Sequence, residues 1–274
     1  MSDGVLLDVR SLDVRRGRRT VLTGVALALR AGEVAHVTGA NGSGKTSLLR
    51  AVAGLAPAPR GAVQRRAPCA FVPEKVLLAP ALRCGEWLGA MRRLRGEPPV
   101  DWPLAVAAAG LDPDVLHRRS AALSKGTIQR LALLDALHAS APTLLLDEPF
   151  SGLDTDARTW LATALHTRTT TGAAILLTDH SGATTERLAP TLLLRLEGGR
   201  CVAETVAAAG TGARAPSPGG PPGDARPRVA AASVRLVASH ADGRWCDEQV
   251  AGADVDARLR ALLDDGWHIE QVAP

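Results

Sequence analysis

The stretch Gly39-Ala40-Asn41-Gly42-Ser43-Gly44-Lys45-Thr46 constrains this chain more than any other. It fits the phosphate-binding loop pattern G-x-x-x-x-G-K-[ST] at every required position. The flanks agree. Residues 33–38 read as a buried strand, and residues 47–53 have helical spacing that stops at Gly54. Strand, glycine loop and helix in that order predict an α/β fold, because the loop works where a strand hands over to a helix N-terminus. Glycines let backbone N–H groups close around a phosphate chain without Cβ clashes, and the helix start adds partial positive charge. This reading gives Gly39, Asn41, Gly42, Ser43, Gly44, Lys45, Thr46 and Ser47 to a nucleoside triphosphate. Lys45 is expected to reach the β- and γ-phosphates, and the Thr46 hydroxyl to ligate Mg²⁺.

A second signal is Leu144-Leu145-Leu146-Asp147-Glu148-Pro149, an apolar strand ending in two carboxylates, the Walker B pattern. Side chains alternate along a strand, so Asp147 is expected to approach the Mg²⁺ shell while Glu148 faces the γ-phosphate and polarises a water. Apolar runs at 143–146 and 173–178 lack alternation, which predicts a parallel sheet covered on both faces. Residues 5–14 and 21–29 read as strands feeding the 34–38 strand, 57–61 as a turn, and 70–72 as a short strand. Helices are expected at 84–95, 104–111 and 113–119, with Leu88, Met91 and Leu94 as a packing stripe on the first. Helices from Ser124 to a break at Pro142 and over 156–167 follow, then a closing hairpin of 192–196 and 201–205.

The totals set outer limits. With 274 residues the chain can build one large domain with a small appendage. Its apolar runs are too short to span a bilayer. The net charge of +4 comes from arginine, the lysines being Lys45, Lys75 and Lys125 alone. There is no dense basic block or aromatic-interleaved stripe, so no direct nucleic-acid partner is expected. Cys69, Cys84, Cys201 and Cys246 lack C-x-x-C spacing and read as free thiols in a reducing cytosol. The N-terminus carries no signal segment. A Gly/Pro/Ala/Ser-rich stretch at 206–230 reads as a linker. Beyond it, 231–274 reads as a small α+β appendage: three strands and a helix over 254–265, with Asp254 as N-cap and Leu259, Leu262 and Leu263 as its buried stripe.

Between the two Walker elements stands Leu123-Ser124-Lys125-Gly126-Thr127-Ile128-Gln129-Arg130, which resembles the LSGGQ signature of ATP-binding-cassette (ABC) ATPases. Ser151-Gly152-Leu153-Asp154 resembles the family's D-loop, and Thr178-Asp179-His180 its switch histidine. The ordered motifs cover about residues 5–204. The resemblance implies a P-loop nucleotide-binding domain over residues 1–205. That domain would have a RecA-like core with a mixed sheet, an antiparallel β subdomain and a helical subdomain near 76–122. It implies an ATPase using ATP and Mg²⁺, with Thr46, Asp147 and Glu74 around the metal. Glu148 would be general base, and His180 would hold the γ-phosphate and the attacking water. Two such domains would close head to tail as a homodimer or heterodimer, so Ser124 and the Gly126 N–H meet the partner's γ-phosphate and Asp154 links the two sites.

The sequence also departs from the family. Glu74 stands where a glutamine is usual. Lys125 and Thr127 replace a glycine and the glutamine of the signature, and Lys125 adds a charge for phosphate. Arg16 replaces the aromatic residue that stacks on adenine, offering a guanidinium instead. The leading expectation is a transport ATPase of the single-domain, exporter type (ABC-2-like), cytoplasmic and peripheral at the membrane through a separately encoded permease. The stretch 82–96 and the appendage resemble that group. The alternatives are a non-transport cassette acting on DNA or ribosomes and a regulatory subunit that does not hydrolyse ATP. The short span between Lys45 and Ser124, the single cassette, and the presence of Glu148 and His180 argue against both.

Overall fold

Val34–Gly39 (β3) is apolar at most of its positions and buried at its first four. It lies inside a six-stranded sheet with Ala70–Val72 (β5), Thr143–Leu146 (β6), Ala174–Thr178 (β7), Leu192–Glu197 (β8) and Arg200–Thr205 (β9), in the order β5-β6-β7-β3-β8-β9. All neighbours pair in parallel except the β8–β9 hairpin, so the sheet is mixed. These coordinates come from a computed structural model, which describes residues 4–179, 187–205, 233–240, 245–251 and 267–273.

The unalternated apolar strands are explained by what covers them. Leu145 and Leu176 face one apolar cluster, while Leu144, Leu146, Ile175 and Leu177 face another. On the first side lie helix Lys45–Ala53 (α1) and strands Val5–Arg16 (β1) and Arg19–Arg30 (β2). On the second lie helices Lys125–His138 (α4) and Thr155–Thr170 (α5). A strand buried on both faces gains nothing from polar positions.

β1 and β2 do not join β3. With Arg60–Arg65 (β4) they make a separate three-stranded antiparallel sheet, β2-β1-β4. β4 starts within the turn expected at 57–61 and runs on through residues for which no element was expected. Its side chains are almost all exposed, so no hydrophobic pattern marks it; backbone pairing to β1 makes it a strand.

The third apolar cluster is the helical layer: Leu78, Cys84, Leu88, Trp102, Val106, Val115, Leu131 and Leu134 among others. Its elements are Cys84–Leu94 (α2), Trp102–Ala108 (α3) and a 3₁₀ turn over Pro113–His117, the last expected as a helix. The expected stripe on α2 is also corrected. Leu94 is 78% exposed, and the buried face runs through Cys84, Leu88 and Arg92, one turn apart. Arg92 is buried because it is paired. Its guanidinium meets Glu97 at 2.9 Å and donates to the carbonyls of Pro98 and His138. Glu97 also takes Arg95 at 2.8 Å and the Ser140 amide, and Arg95 holds Asp135 on α4 through two bonds of 2.9 and 2.6 Å. Four charged side chains thus tie α2 to the C-terminal half of α4.

By internal contact the chain divides into two compact units, Met1–Gly212 and Ala213–Pro274. In the second, strands Ser233–His240 (β10), Trp245–Ala251 (β11) and Trp267–Ala273 (β12) pair antiparallel in the order β11-β10-β12. The expected helix at 254–265 and linker at 206–230 lie outside the described residues. No helix among the described residues is long and apolar enough to cross a membrane.

Candidate nucleotide site

The phosphate loop turns from β3 into α1 through glycines that no other residue replaces cheaply. Gly39 has φ +146, and a Cβ there would stand 2.7 Å from the Leu196 carbonyl and from Ser43 Oγ. Gly44, at φ +109, is the N-cap of α1, with the Leu22 side chain 3.1 Å from where a Cβ would sit. α1 has no side-chain cap and no acidic residue in its first turn. Its leading N–H groups therefore stay available to an anion. Lys45 is 7% exposed and folds back on the loop, donating from Nζ to the Gly39 carbonyl at 2.8 Å. Ser43 Oγ is buried with no hydrogen-bond partner among the described residues. Thr46 is exposed beside it.

The carboxylate pair is held differently from the alternation expected of a strand. β6 ends at Leu146, and Glu148 has φ +51, a left-handed backbone that a non-glycine residue adopts at a cost of about 1–3 kcal/mol. What holds it is Thr178, at the end of β7. Its hydroxyl accepts from the Glu148 N–H at 2.8 Å and donates to Asp147 Oδ1 at 2.8 Å, all of it buried. The Asp147 N–H is tied to the Val72 carbonyl at 2.9 Å. Asp147 and Glu148 are 1% and 8% exposed. Asp147 Oδ2 has no hydrogen-bond partner among the described residues. A buried carboxylate oxygen with no donor suits a cation.

One open cleft of about 1660 Å³ collects most of the expected residues. Asn41, Gly42, Ser43, Gly44, Lys45, Thr46 and Ser47 line it together with Arg16, Glu74 and Glu148. Ser151, Gly152 and Arg158 from the segment after β6 close one side. Ser124 and Gly126 do not line it. Ser124 is the N-cap of α4, its Oγ accepting from the Thr127 N–H at 3.2 Å, and its side chain is exposed. Gly126 packs against the D-loop, where a Cβ would come 3.2 Å from the Gly152 carbonyl. Asp154 caps α5 by accepting from the Ala157 N–H at 2.8 Å and takes Arg130 of α4 at 2.7 Å. The Ala157 amide above all holds its carboxyl below the usual range; desolvation opposes it, and Arg130 adds to the lowering. His180 lies outside the described residues. Two roles were not anticipated: Thr178 as the clamp on the carboxylate pair and Arg130 as the anchor of the D-loop. Both residues stand inside the motifs, but sequence alone gives no sign of what they bond.

The ABC transporter family profile matches residues 22–151. The chain is 37% identical over 180 residues to a zinc import ATP-binding protein of Cereibacter sphaeroides, the match covering 64% of this chain and 72% of that one. It is 34% identical over 176 residues to a cytochrome c biogenesis ATP-binding export protein of Novosphingobium aromaticivorans, covering 64% and 88%. A solved structure of an ATP-binding subunit of an ABC transporter superposes with a TM-score of 0.66 at 27% identity, covering 73% of this chain and 90% of that one.

Proposed function

The chain belongs to the ABC transporter family as an ATP-binding, ATP-hydrolysing subunit, and from that premise we propose that it is the cytoplasmic motor of an exporter. In this reading it pairs with a second ATPase domain and drives a separately encoded membrane permease. The observation that carries the proposal is the buried pair Asp147–Glu148, pinned by Thr178, with Glu148 lining the cleft that contains the phosphate loop. Relatives bear both import and export names. The export direction is favoured by the resemblance of residues 82–96 and of the C-terminal appendage to exporter-type cassettes. We also assign the ATPase domain to residues 1–205, its helical subdomain to about 76–122, a linker to 206–230 and the appendage to 231–274.

The chemistry asked of this chain is limited. Glu148 accepts a proton from water as the water oxygen attacks the γ-phosphorus, and the bond to the β-phosphate oxygen breaks to release ADP. His180 holds the γ-phosphate and that water. Lys45 and the N–H groups of 41–47 hold the phosphates, gaining most where charge builds in the transition state. Thr46, Asp147 and Glu74 are the oxygens that would hold Mg²⁺; the buried, donorless Oδ2 of Asp147 fits a cation. Bound there, Mg²⁺ offsets phosphate charge. Ser124, Lys125 and the Gly126 N–H meet the partner's nucleotide, which is consistent with their position off this chain's own cleft. Asp154 carries information between the two sites.

The test is capture of the tagged Glu148→Gln chain from detergent-solubilised membranes with ATP and Mg²⁺. A stoichiometric multi-spanning membrane protein is the expected companion, and recovery only as a soluble dimer or with ribosomes would sink the proposal. Thr178 offers a finer check. Thr178→Val keeps the shape but leaves the Glu148 N–H and Asp147 Oδ1 without their partner, at about 1–3 kcal/mol for each buried group. Turnover is expected to fall about tenfold through lost positioning, with nucleotide still bound, and Thr178→Ser is expected to restore most of it. Equal turnover in the Val and Ser variants would remove Thr178 from the site.

A further inference from the structure

In sheets built from parallel strands the ligand lies beyond the carboxyl ends of the strands. Three neighbouring ends matter here, those of β6, β7 and β3. β6 leads into the carboxylate pair, β7 ends at Thr178 with Asp179 following, and β3 runs to Gly39, the first residue of the phosphate loop. Thr178 ties the second of these ends to the first. Another side chain ties it to the third.

That side chain is His36, on β3. It is 3% exposed in a strand whose other buried positions, Val34, Ala35 and Val37, are apolar. Register sets it opposite Leu177 of β7, on the face covered by α4 and α5. An imidazole placed there gives up its hydration, a cost that a hydrogen bond has to offset. Its Nε2 stands 3.3 Å from the Asp179 carbonyl. A carbonyl only accepts, so Nε2 carries the proton and donates it. The bond reaches past the backbone ladder. The β3–β7 pairing stops at Val37 and Thr178, and Asp179 lies just beyond it, buried and lining the cleft.

We infer that His36 is a positioning residue for hydrolysis: by its bond to the Asp179 carbonyl it fixes the chain leaving β7 against the strand that carries the phosphate loop. The inference rests on the proposed function, because the next residue in the sequence, His180, is the one assigned there to the γ-phosphate and the attacking water. Its effect falls on turnover, since a reacting group displaced by about 1 Å can cost about 100-fold, whereas nucleotide affinity rests on the phosphate loop.

The test is steady-state ATP hydrolysis by the full chain carrying His36→Leu, His36→Asn or His36→Gln, with the unfolding midpoint of each. Gln can bring an amide N–H to where Nε2 stands, Asn is too short to do so, and Leu has no donor. The expected result is a kcat about tenfold lower in the Leu and Asn variants, with KM for ATP within about twofold of wild type and kcat restored to within about threefold by Gln. Wild-type kcat in the Leu variant, or equal losses in Asn and Gln, would overturn the inference and leave the ATPase assignment standing. Wild-type turnover in His180→Ala would sink the role given to His180, and the inference with it. Nitrogen NMR of the imidazole rings gives a check that needs no variant to fold. His36 should be protonated at Nε2 at neutral pH, and a ring protonated at Nδ1 alone would overturn the inference.

Discussion

Glu148→Gln is expected to reduce steady-state ATP hydrolysis by about 10²–10⁴-fold while leaving nucleotide bound. The substitution keeps size and hydrogen-bonding shape but removes the base that takes a proton from the attacking water. The backbone at this position is set by Thr178 and by φ +51, not by the charge of the side chain, so the turn should survive. Affinity rests on the phosphate loop, which the substitution does not touch. Single-turnover hydrolysis separates the two quantities: bound nucleotide should be recovered as ATP, where the wild type yields ADP. Ordinary turnover in this variant would show that the proton goes elsewhere. Asp179 would then be the first carboxylate to examine, since it lines the same cleft.

Glu97→Ala is expected to destabilise the chain by about 3–5 kcal/mol. Arg92 and Glu97 are 6% and 8% exposed, so removing the carboxylate strands a buried guanidinium. Glu97→Gln should cost less, because the amide oxygen still accepts from Arg92 and Arg95, while its NH2 group faces the Ser140 N–H that the second carboxylate oxygen accepted from. Burial opposes ionisation of Glu97, but the Arg95 hydrogen bond, the Ser140 amide and the charges of Arg95 and Arg92 together outweigh it and hold its carboxyl below the ordinary 4.5. A depressed folded value means that the ionised form favours the folded state. The advantage of wild type over Glu97→Gln is therefore full at neutral pH, above the unfolded value, and fades as pH drops through the folded value. Denaturant unfolding of both proteins between pH 7 and pH 3 measures it. A gap that stays constant with pH would mean that charge plays no part.

The phosphate loop was legible because its residues are contiguous and its strand and helix are adjacent to it. Gly39, Gly44 and Lys45 do locally what the pattern says they do. The carboxylate pair was legible in identity but not in geometry. The strand ends at Leu146 as expected, before the pair, and the left-handed Glu148 is held by Thr178, which stands 30 residues along the chain. Long-range partners of this kind leave no local pattern. The same reason hid β4, which its pairing to β1 makes a strand, and sent β1 and β2 to a sheet of their own. Arg92 on the buried face of α2 defeated a hydrophobicity argument because Glu97 and two carbonyls satisfy it there.

The approach of Gly126 to the Gly152 carbonyl has a consequence for genetics. Gly152 lines this chain's own cleft, and any side chain at position 126 would press on it from 3.2 Å. If the chain pairs head to tail as proposed, a Gly126 lesion in one copy of a mixed dimer would disturb both composite sites: one through its proposed contact with the partner's nucleotide, the other through pressure on the D-loop of its own chain. Complementation between a Gly126 mutant and a Lys45 mutant should therefore fail even though the two lesions lie in different motifs. A Ser124 mutant, whose exposed side chain caps its own helix, should complement.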